Sequence, residues 1–290
     1  MKLICGHVNK HVIKVVVGII FCAVNTPNFA QDNGKLKCIV IDAGHGGKDP
    51  GNLGTGKYKR TEKDIALDVS LLLGGYIEKE YPDIKVIYTR KTDKYLKLHE
   101  RTEIANNSKA DLFISIHCNS AASSKPFGTE TFVMGFKHIN DNLELTKREN
   151  SVVFLEEDYE TNYQGLAVDD PESNIIAALY QNAYLDQSIS FANLIERQFK
   201  TRVGRHSRGV KQSVLFVMNR TTMPSVLIEL GFLTNKLEEE YLHSEKGETY
   251  MASGIFRAFK DYKNILESIN SESIIETEEE VKEEVKAEND

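Results

Sequence analysis

Apolar runs of strand length alternate along this chain with segments whose apolar residues recur every three or four positions. Runs that are apolar at consecutive positions are typical of strands buried on both faces of a parallel sheet, and the spaced pattern is typical of helices. We predict strands at 37–42, 84–89, 112–117, 128–134, 213–217 and 225–230 and helices at 61–80, 99–108, 175–203 and 246–265. This alternation predicts an α/β fold with a mostly parallel sheet and helices on both faces.

Two of the predicted strands stop at a histidine. The run CIVIDAGHGG places His45 just beyond the first strand, and DLFISIHCNS places His117 at the end of another. Ligands of open α/β sheets bind at the carboxyl ends of the strands, so the two side chains can face one cleft. Zinc is the natural occupant of such a pair if a third ligand is near. The alternative is that each histidine is a hydrogen-bonded structural residue.

Glu62 is the best candidate for the third ligand, since it lies at the start of the helix predicted at 61–80. Thr61 suits the N-cap of this helix, with Asp64 at the capping-box position. The alternative is that Glu62 only complements the helix dipole. The loop before the helix is dense in glycine, which permits close backbone approach to a ligand. It is not a phosphate-binding loop, because Asp49 stands where Ser or Thr would follow the lysine.

A third apolar run, PSVLIELGF, carries an acid, Glu229, near its end. Burying an unpaired carboxylate is costly, so an acid that closes a core strand is rarely there for packing. We therefore take Glu229 as a candidate for chemistry.

These segments together resemble the zinc-dependent N-acetylmuramoyl-L-alanine amidases of the type 3 family. The resemblance covers about residues 36 to 265 and is carried by IVIDAGHGGKDPGNLG, the Glu62 helix, LFISIHCNS and PSVLIELGFLTN. It implies an open, twisted sheet of about six strands, a catalytic Glu229, and one zinc ion held by His45, Glu62 and His117. The implied reaction is hydrolysis of the amide bond between N-acetylmuramic acid and L-alanine in peptidoglycan.

The chemistry of such a site needs each of these residue types. A His/Glu/His zinc site leaves one position open for water, whose pKa the metal lowers towards about 7. Glu229 would take the water proton and pass it to the departing nitrogen. Cys118 follows His117 on a strand and points to the opposite face, so we expect a buried thiol there and at Cys38.

Two other functions share this fold or this metal site. A catalytically silent peptidoglycan-binding module is expected to lose a ligand or the acid, whereas this chain keeps all four residues. A zinc peptidase acting on soluble peptides would differ in its substrate only.

Residues 137 to 174 are charged and interrupt the alternation between a strand and a long helix. A connection of this length inside a domain is usually functional or disordered. In related cell-separation amidases, an insertion here carries a glutamate that caps the zinc until a protein activator moves it. Lys147-Arg148-Glu149-Asn150 resembles that helix, which makes Glu149 the candidate inhibitory residue and Glu156, Glu157 and Asp158 its alternatives. The other interpretation is a surface excursion with solvated charges.

Charge is concentrated at the two ends of this 290-residue chain, whose net charge is −7. Residues 1–30 have a basic start and a short apolar core, which predicts a secretory signal peptide cleaved after Ala30 and a periplasmic or cell-envelope location. Residues 267–290 carry −8, which predicts a solvated, disordered tail, with a helix over Glu276–Lys286 as the alternative. The catalytic domain, 31–266, is nearly neutral.

A basic cluster precedes the last predicted strands and includes Arg208 and Lys211. These two could bind the acidic stem peptide of the substrate, or they could form a solvated face. No basic patch interleaved with aromatic residues is present, so nucleic acid is not an expected partner.

Overall fold

A computed structural model of the protein describes residues 35–137, 139–159, 163 and 171–289. The predicted signal peptide lies outside the described residues. The strands are β1 (Cys38–Ala43), β2 (Lys85–Tyr88), β3 (Leu112–Asn119), β4 (Thr129–Met134), β5 (Ser207–Ser213) and β6 (Ser225–Phe232). The helices are α1 (Glu62–Glu80), α2 (Leu98–Asn107), α3 (Leu143–Asn150), α4 (Pro171–Gln198), α5 (Lys236–Leu242) and α6 (Glu245–Asn289).

The six strands form one sheet in the order β2-β1-β3-β6-β4-β5. Every neighbouring pair is parallel except β4 and β6, which are antiparallel. This confirms the predicted mostly parallel, open sheet. Within the described part of the chain, no helix is both long enough and apolar enough to cross a membrane.

The two faces of the sheet bury different sets of residues. We call the face covered by α1, α4 and α6 the helix face. Its core is mainly apolar and includes Ile41, Ile114 and Ile228 from the strands and Ile255 and Phe259 from α6. We call the other face the cleft face, because it carries the site described below. Its smaller core is closed by α2, α3 and residues 214–218.

The predicted strand at 213–217 is wrong, because the edge strand β5 ends at Ser213. Its polar sequence, SRGVKQS, hides it from a search for apolar runs. Val214, Leu215 and Val217 are buried in the cleft-face core without joining the sheet. Side chains bond to this backbone instead. The Asn150 amide of α3 donates to the Val214 carbonyl (2.9 Å) and accepts from the Phe216 N–H (2.9 Å), and the Thr102 hydroxyl donates to the Val217 carbonyl (2.9 Å).

The acidic tail differs from the expected disorder, since α6 continues through it to Asn289. This is the helical alternative extended in both directions. Glutamate, a strong helix former, accounts for nine of the 24 residues at 267–290, so the segment can extend a helix already begun. The helix's contacts with the core come earlier, between Met251 and Tyr262.

Candidate metal centre and active site

Three side chains meet where the carboxyl ends of β1 and β3 face the start of α1. His45 follows β1, His117 lies in β3, and Glu62 is the first residue of α1. Oε1 of Glu62 lies 3.0 Å from Nε2 of His45 and 3.2 Å from Nδ1 of His117. The two imidazole nitrogens are themselves 3.2 Å apart. The three residues and Glu149 form one buried group whose ligand atoms all lie within 4.8 Å of one another, a geometry that could hold a metal ion.

Two glycines make room for this convergence. A Cβ on Gly44 would lie 2.4 Å from the His117 ring, and one on Gly51 would lie 2.7 Å from Cδ2 of His45 and 2.8 Å from Oε2 of Glu62. Gly51 also has a φ of +65°, in the left-handed region that other residues rarely adopt. The glycine-dense loop therefore lets the backbone approach the ligating side chains, as its composition predicts.

Neighbouring groups fix the orientation of the three side chains. Oδ2 of Asp49 lies 2.8 Å from Nδ1 of His45 and accepts a hydrogen bond from Nδ1–H, which leaves Nε2 directed at the site. The backbone N–H groups of Cys118 and Asn52 donate to the two oxygens of Glu62, each at 2.8 Å. Supporting hydrogen bonds of this kind hold metal ligands in one geometry.

Acidic groups around the two imidazoles favour a positive charge at this site. Burial lowers the pKa of His45, but Glu62, Asp49 and Glu149 outweigh it and raise that pKa well above its ordinary value. Burial likewise opposes ionisation of Glu62, yet His45 and His117 hold its pKa well below the usual range. A metal ion could take the place of the protons that these acids favour on the imidazoles, and two imidazoles with a carboxylate are the donors that zinc prefers. The residues therefore fit a zinc ion.

Glu229 lies beside this group on β6, in register with His117 of β3. Burial, with repulsion from Glu149 and Glu62, raises its pKa to about 8, although Arg148 opposes the shift. Oε1 accepts from Nη2 of Arg148 at 3.2 Å, and Oε2 is buried with no hydrogen-bond partner among the described residues. A carboxyl group tuned in this way suits proton transfer near neutral pH.

Helix α3 of the insertion closes the site from the cleft face. Oε2 of Glu149 lies 3.1 Å from Nδ1 of His117 and 3.7 Å from Nε2 of His45. Burial opposes its ionisation, but His117 and Arg148 lower its pKa to about 2. Glu149, rather than its alternatives, is the acid that reaches the metal group.

The three alternative acids lie elsewhere on the insertion. Glu156 accepts from the Leu98 N–H (3.3 Å) at the start of α2, and Asp158 pairs with Lys97 (2.6 Å). Glu157 is exposed.

Arg208 and Lys211 lie outside the metal group, where both bind the buried carboxylate of Glu130. Nε of Arg208 and Nζ of Lys211 each donate to Oε1 of Glu130, the latter at 2.6 Å.

Sequence reasoning assigned no role to Arg148 or Asn119, although Asn119 stands two residues beyond His117 on β3. Side chains two apart on a strand share a face, which is the signal that could have found it.

A model of the N-acetylmuramoyl-L-alanine amidase family matches residues 39–261, which are most of the chain and include every residue of this site. The chain belongs to this amidase family. It is therefore an N-acetylmuramoyl-L-alanine amidase, a hydrolase of the bacterial cell wall.

Relatives and solved structures agree with this assignment. The amidase is 32% identical over 226 residues to the uncharacterized protein YqiI of Bacillus subtilis, covering 78% of this chain and 84% of YqiI. It is 28% identical over 241 residues to the amidase AmiA of Escherichia coli, covering 81% of this chain and 80% of AmiA. The CwlD amidase of Clostridioides difficile, solved in complex with the GerS lipoprotein, is 27% identical with a TM-score of 0.59, covering 79% of this chain and 99% of CwlD.

Proposed function

We propose that this amidase uses one zinc ion, held by His45, Glu62 and His117, to hydrolyse the bond between N-acetylmuramic acid and L-alanine in peptidoglycan. The observation that carries the proposal is the convergence of three ligand atoms at 3.0–3.2 Å beside a buried glutamate with a raised pKa. Zinc at this position supplies a Lewis acid that activates water and polarises the scissile carbonyl.

The protein's own side chains orient the metal ligands and carry the proton. Asp49 keeps His45 in the tautomer that presents Nε2 to the site. Glu229 takes a proton from the attacking water, then delivers it to the nitrogen of L-alanine as the amide bond breaks. Its raised pKa places both the charged and the neutral form within reach near neutral pH.

We further propose that the described conformation is a closed one, in which α3 restrains the enzyme. Glu149 offers its carboxylate at the side of the metal group that the water and the scissile carbonyl need. Arg148 pairs with both Glu149 (2.8 Å) and Glu229 (3.2 Å), so the same helix also engages the proton carrier. Activity then requires that α3 withdraw.

A protein activator that displaces the insertion is the partner this proposal calls for. The GerS complex of CwlD is an example of a related amidase bound to a protein. We place the enzyme's work in the periplasm or cell envelope, where its substrate lies, after removal of the predicted signal peptide at 1–30.

Digestion of purified peptidoglycan by the zinc-loaded protein, followed by mass analysis, tests the reaction. We expect free stem peptides that begin at L-alanine and glycan strands left intact, with activity lost to a chelator and restored by zinc. His117→Ala should hold less than a full equivalent of zinc. A silent binding module would bind the wall and release nothing, and a peptidase would cleave soluble peptides instead.

A further inference from the structure

The guanidinium of Arg148 fills a pocket whose walls are acceptors of hydrogen bonds. Nη1 donates to Oγ of Ser120 (2.9 Å), to the Ser120 carbonyl (3.2 Å) and to Oδ1 of Asn119 (3.2 Å), while Nη2 donates to Glu229 (3.2 Å). Arg148 comes from the insertion, whereas its partners come from the ends of β3 and β6. When α3 withdraws, these acceptors are left facing the cleft without the guanidinium.

The orientation of the Asn119 amide is fixed from behind. Its Nδ2 donates to Oε2 of Glu130 at 2.8 Å, and a carboxylate can only accept, so Oδ1 must face the cleft. Oδ1 already accepts from the Ser120 N–H (2.8 Å), which leaves one lone pair for Arg148 or for another donor that replaces it. Asn119 is therefore set as an acceptor before any ligand arrives.

Glu130 can hold the Asn119 amide in this orientation because two basic side chains balance its own negative charge. It is buried beside Glu229, its register partner on β6, where a second free carboxylate would be costly. Arg208 and Lys211 both donate to its Oε1, which leaves Oε2 for Asn119. The two basic residues thus act on the cleft through Glu130 and Asn119.

We propose that Asn119 and Ser120 form a subsite for a backbone N–H of the stem peptide. In the closed conformation, the guanidinium of Arg148 occupies this subsite instead of the peptide. Glu130, Arg208 and Lys211 are its positioning residues. The inference rests on the proposed function, because it takes Glu229 as the group that protonates the departing nitrogen.

The chemistry of the substrate indicates which N–H fits. The L-alanine nitrogen must lie at Glu229, and the peptide continues from it with a second amide N–H. One guanidinium bridges Glu229 and Asn119, so the two acceptors are close enough for successive groups of one peptide. The glycan side of the scissile bond offers mainly hydroxyl groups, which do not require a wall made of acceptors.

A depsipeptide probe tests the subsite without any change to its residues. The protein carries Arg148→Ala and Glu149→Ala, which vacate the pocket, and its ligands are an L-alanyl-glutamyl peptide and the analogue with an ester oxygen in place of the second N–H. Titration calorimetry should show about tenfold tighter binding of the amide, the effect of one well-placed hydrogen bond. Equal binding of the two ligands would overturn the proposal.

Variants in the same background assign the effect to residues. Asn119→Ala should abolish the preference for the amide, and Lys211→Met should reduce it while Lys211→Arg retains it. Asn106→Ala, at a partly exposed asparagine of α2 that bonds to the Arg220 carbonyl (2.8 Å), is the matched control and should keep the full preference. A preference that survives Asn119→Ala would also overturn the proposal.

Hydrolysis of N-acetylmuramoyl-L-alanyl-isoglutamine and its ester analogue separates this inference from the proposed function. Asn119→Ala should raise KM for the amide about tenfold and leave kcat within a few-fold, because the contact forms equally in the ground and transition states. Binding preference without hydrolysis would refute the amidase mechanism and leave the subsite standing. Hydrolysis that proceeds equally on both substrates, with no binding preference, would refute the subsite alone.

Discussion

The two faces of the sheet are covered by different kinds of contact. On the helix face, α1, α4 and α6 bury aliphatic and aromatic side chains such as Phe191, Phe199 and Phe259. Over the carboxyl ends on the cleft face, α3 buries one leucine, Leu145, and is otherwise held by Arg148, Glu149 and Asn150, which bond to charged and backbone groups.

This difference determines which cover can be removed. Water, a substrate or a partner can replace the hydrogen bonds of α3, so the net free-energy cost of releasing each is small. Exposing the apolar core costs about 25 cal/mol per Å² with nothing to replace it. Further polar contacts fasten the insertion in the same way, among them Lys48 to the Leu155 carbonyl (2.6 Å). The comparison therefore predicts a permanent cover on one face and a displaceable one on the other.

The sharpest test of the comparison replaces one buried glutamate on each face of the sheet by glutamine. Glu229→Gln should keep its zinc and lower kcat by about 10²–10⁴-fold, because a carboxamide cannot take the water proton. Glu196→Gln is the matched control on the helix side of the sheet, where the carboxyl group accepts from Thr129 (2.9 Å), Thr131 (2.7 Å) and Ser207 (2.6 Å). It should leave kcat nearly unchanged. A Glu229→Gln enzyme with more than about a tenth of wild-type kcat would refute the role of Glu229.

The next largest effect is expected in the core of the helix face. Phe259→Ala removes a fully buried ring from α6 and should lower the free energy of unfolding by about 3–5 kcal/mol. Urea denaturation of both variants would compare it with Phe154→Ala on the insertion, whose side chain is 69% exposed and whose loss should be nearly neutral. Comparable losses would show that the two covers do not differ as described.

The same contrast explains how far the sequence could be interpreted. The buried strands β1, β3 and β6 and the long helices follow from apolar periodicity, and the strand ends identify His45, His117 and Glu229. The edge strand β5 escapes this search because half-exposed polar residues make it up. The apolar run after it resembles a strand in sequence, but its backbone bonds to side chains that are distant in sequence, among them Asn150 and Thr102.

The interior of the cleft was the least predictable part of the site. The resemblance named Glu149, but the contacts of Arg148, Asn119 and Glu130 join five separate segments, and no local pattern in the sequence encodes how close these segments lie. An irregularity in the pairing of β3 with β6 between His117 and Asn119 adds to this, since a shift of register changes which residues stand opposite each other.

Opening the displaceable cover should raise basal activity. Glu149→Ala removes the carboxylate that lies 3.1 Å from His117, and we expect hydrolysis without an activator to increase about tenfold or more, since a loss of about 1.4 kcal/mol from the closed state suffices. Glu144→Ala, an exposed acid on the same helix, is the control and should change nothing. Unchanged rates in well-folded Glu149→Ala and in a deletion of about 141–163 would show that the insertion does not restrain the enzyme and is a surface excursion.

The smallest effect is expected where the helix face ends. Truncation after Glu267 removes the last part of α6, beyond the buried stretch from Met251 to Tyr262 and the partly buried Leu266 that packs against the core. Residues 268–290, which are lost, hold nine acidic residues and two lysines, a net charge of −7, so their removal relieves repulsion among like charges. We expect the free energy of unfolding to change by less than about 0.5 kcal/mol and hydrolysis to be unaffected. Thermal denaturation beside the full-length chain measures this, and a melting temperature lower by several degrees would mean that the tail docks on the domain and extends the permanent cover.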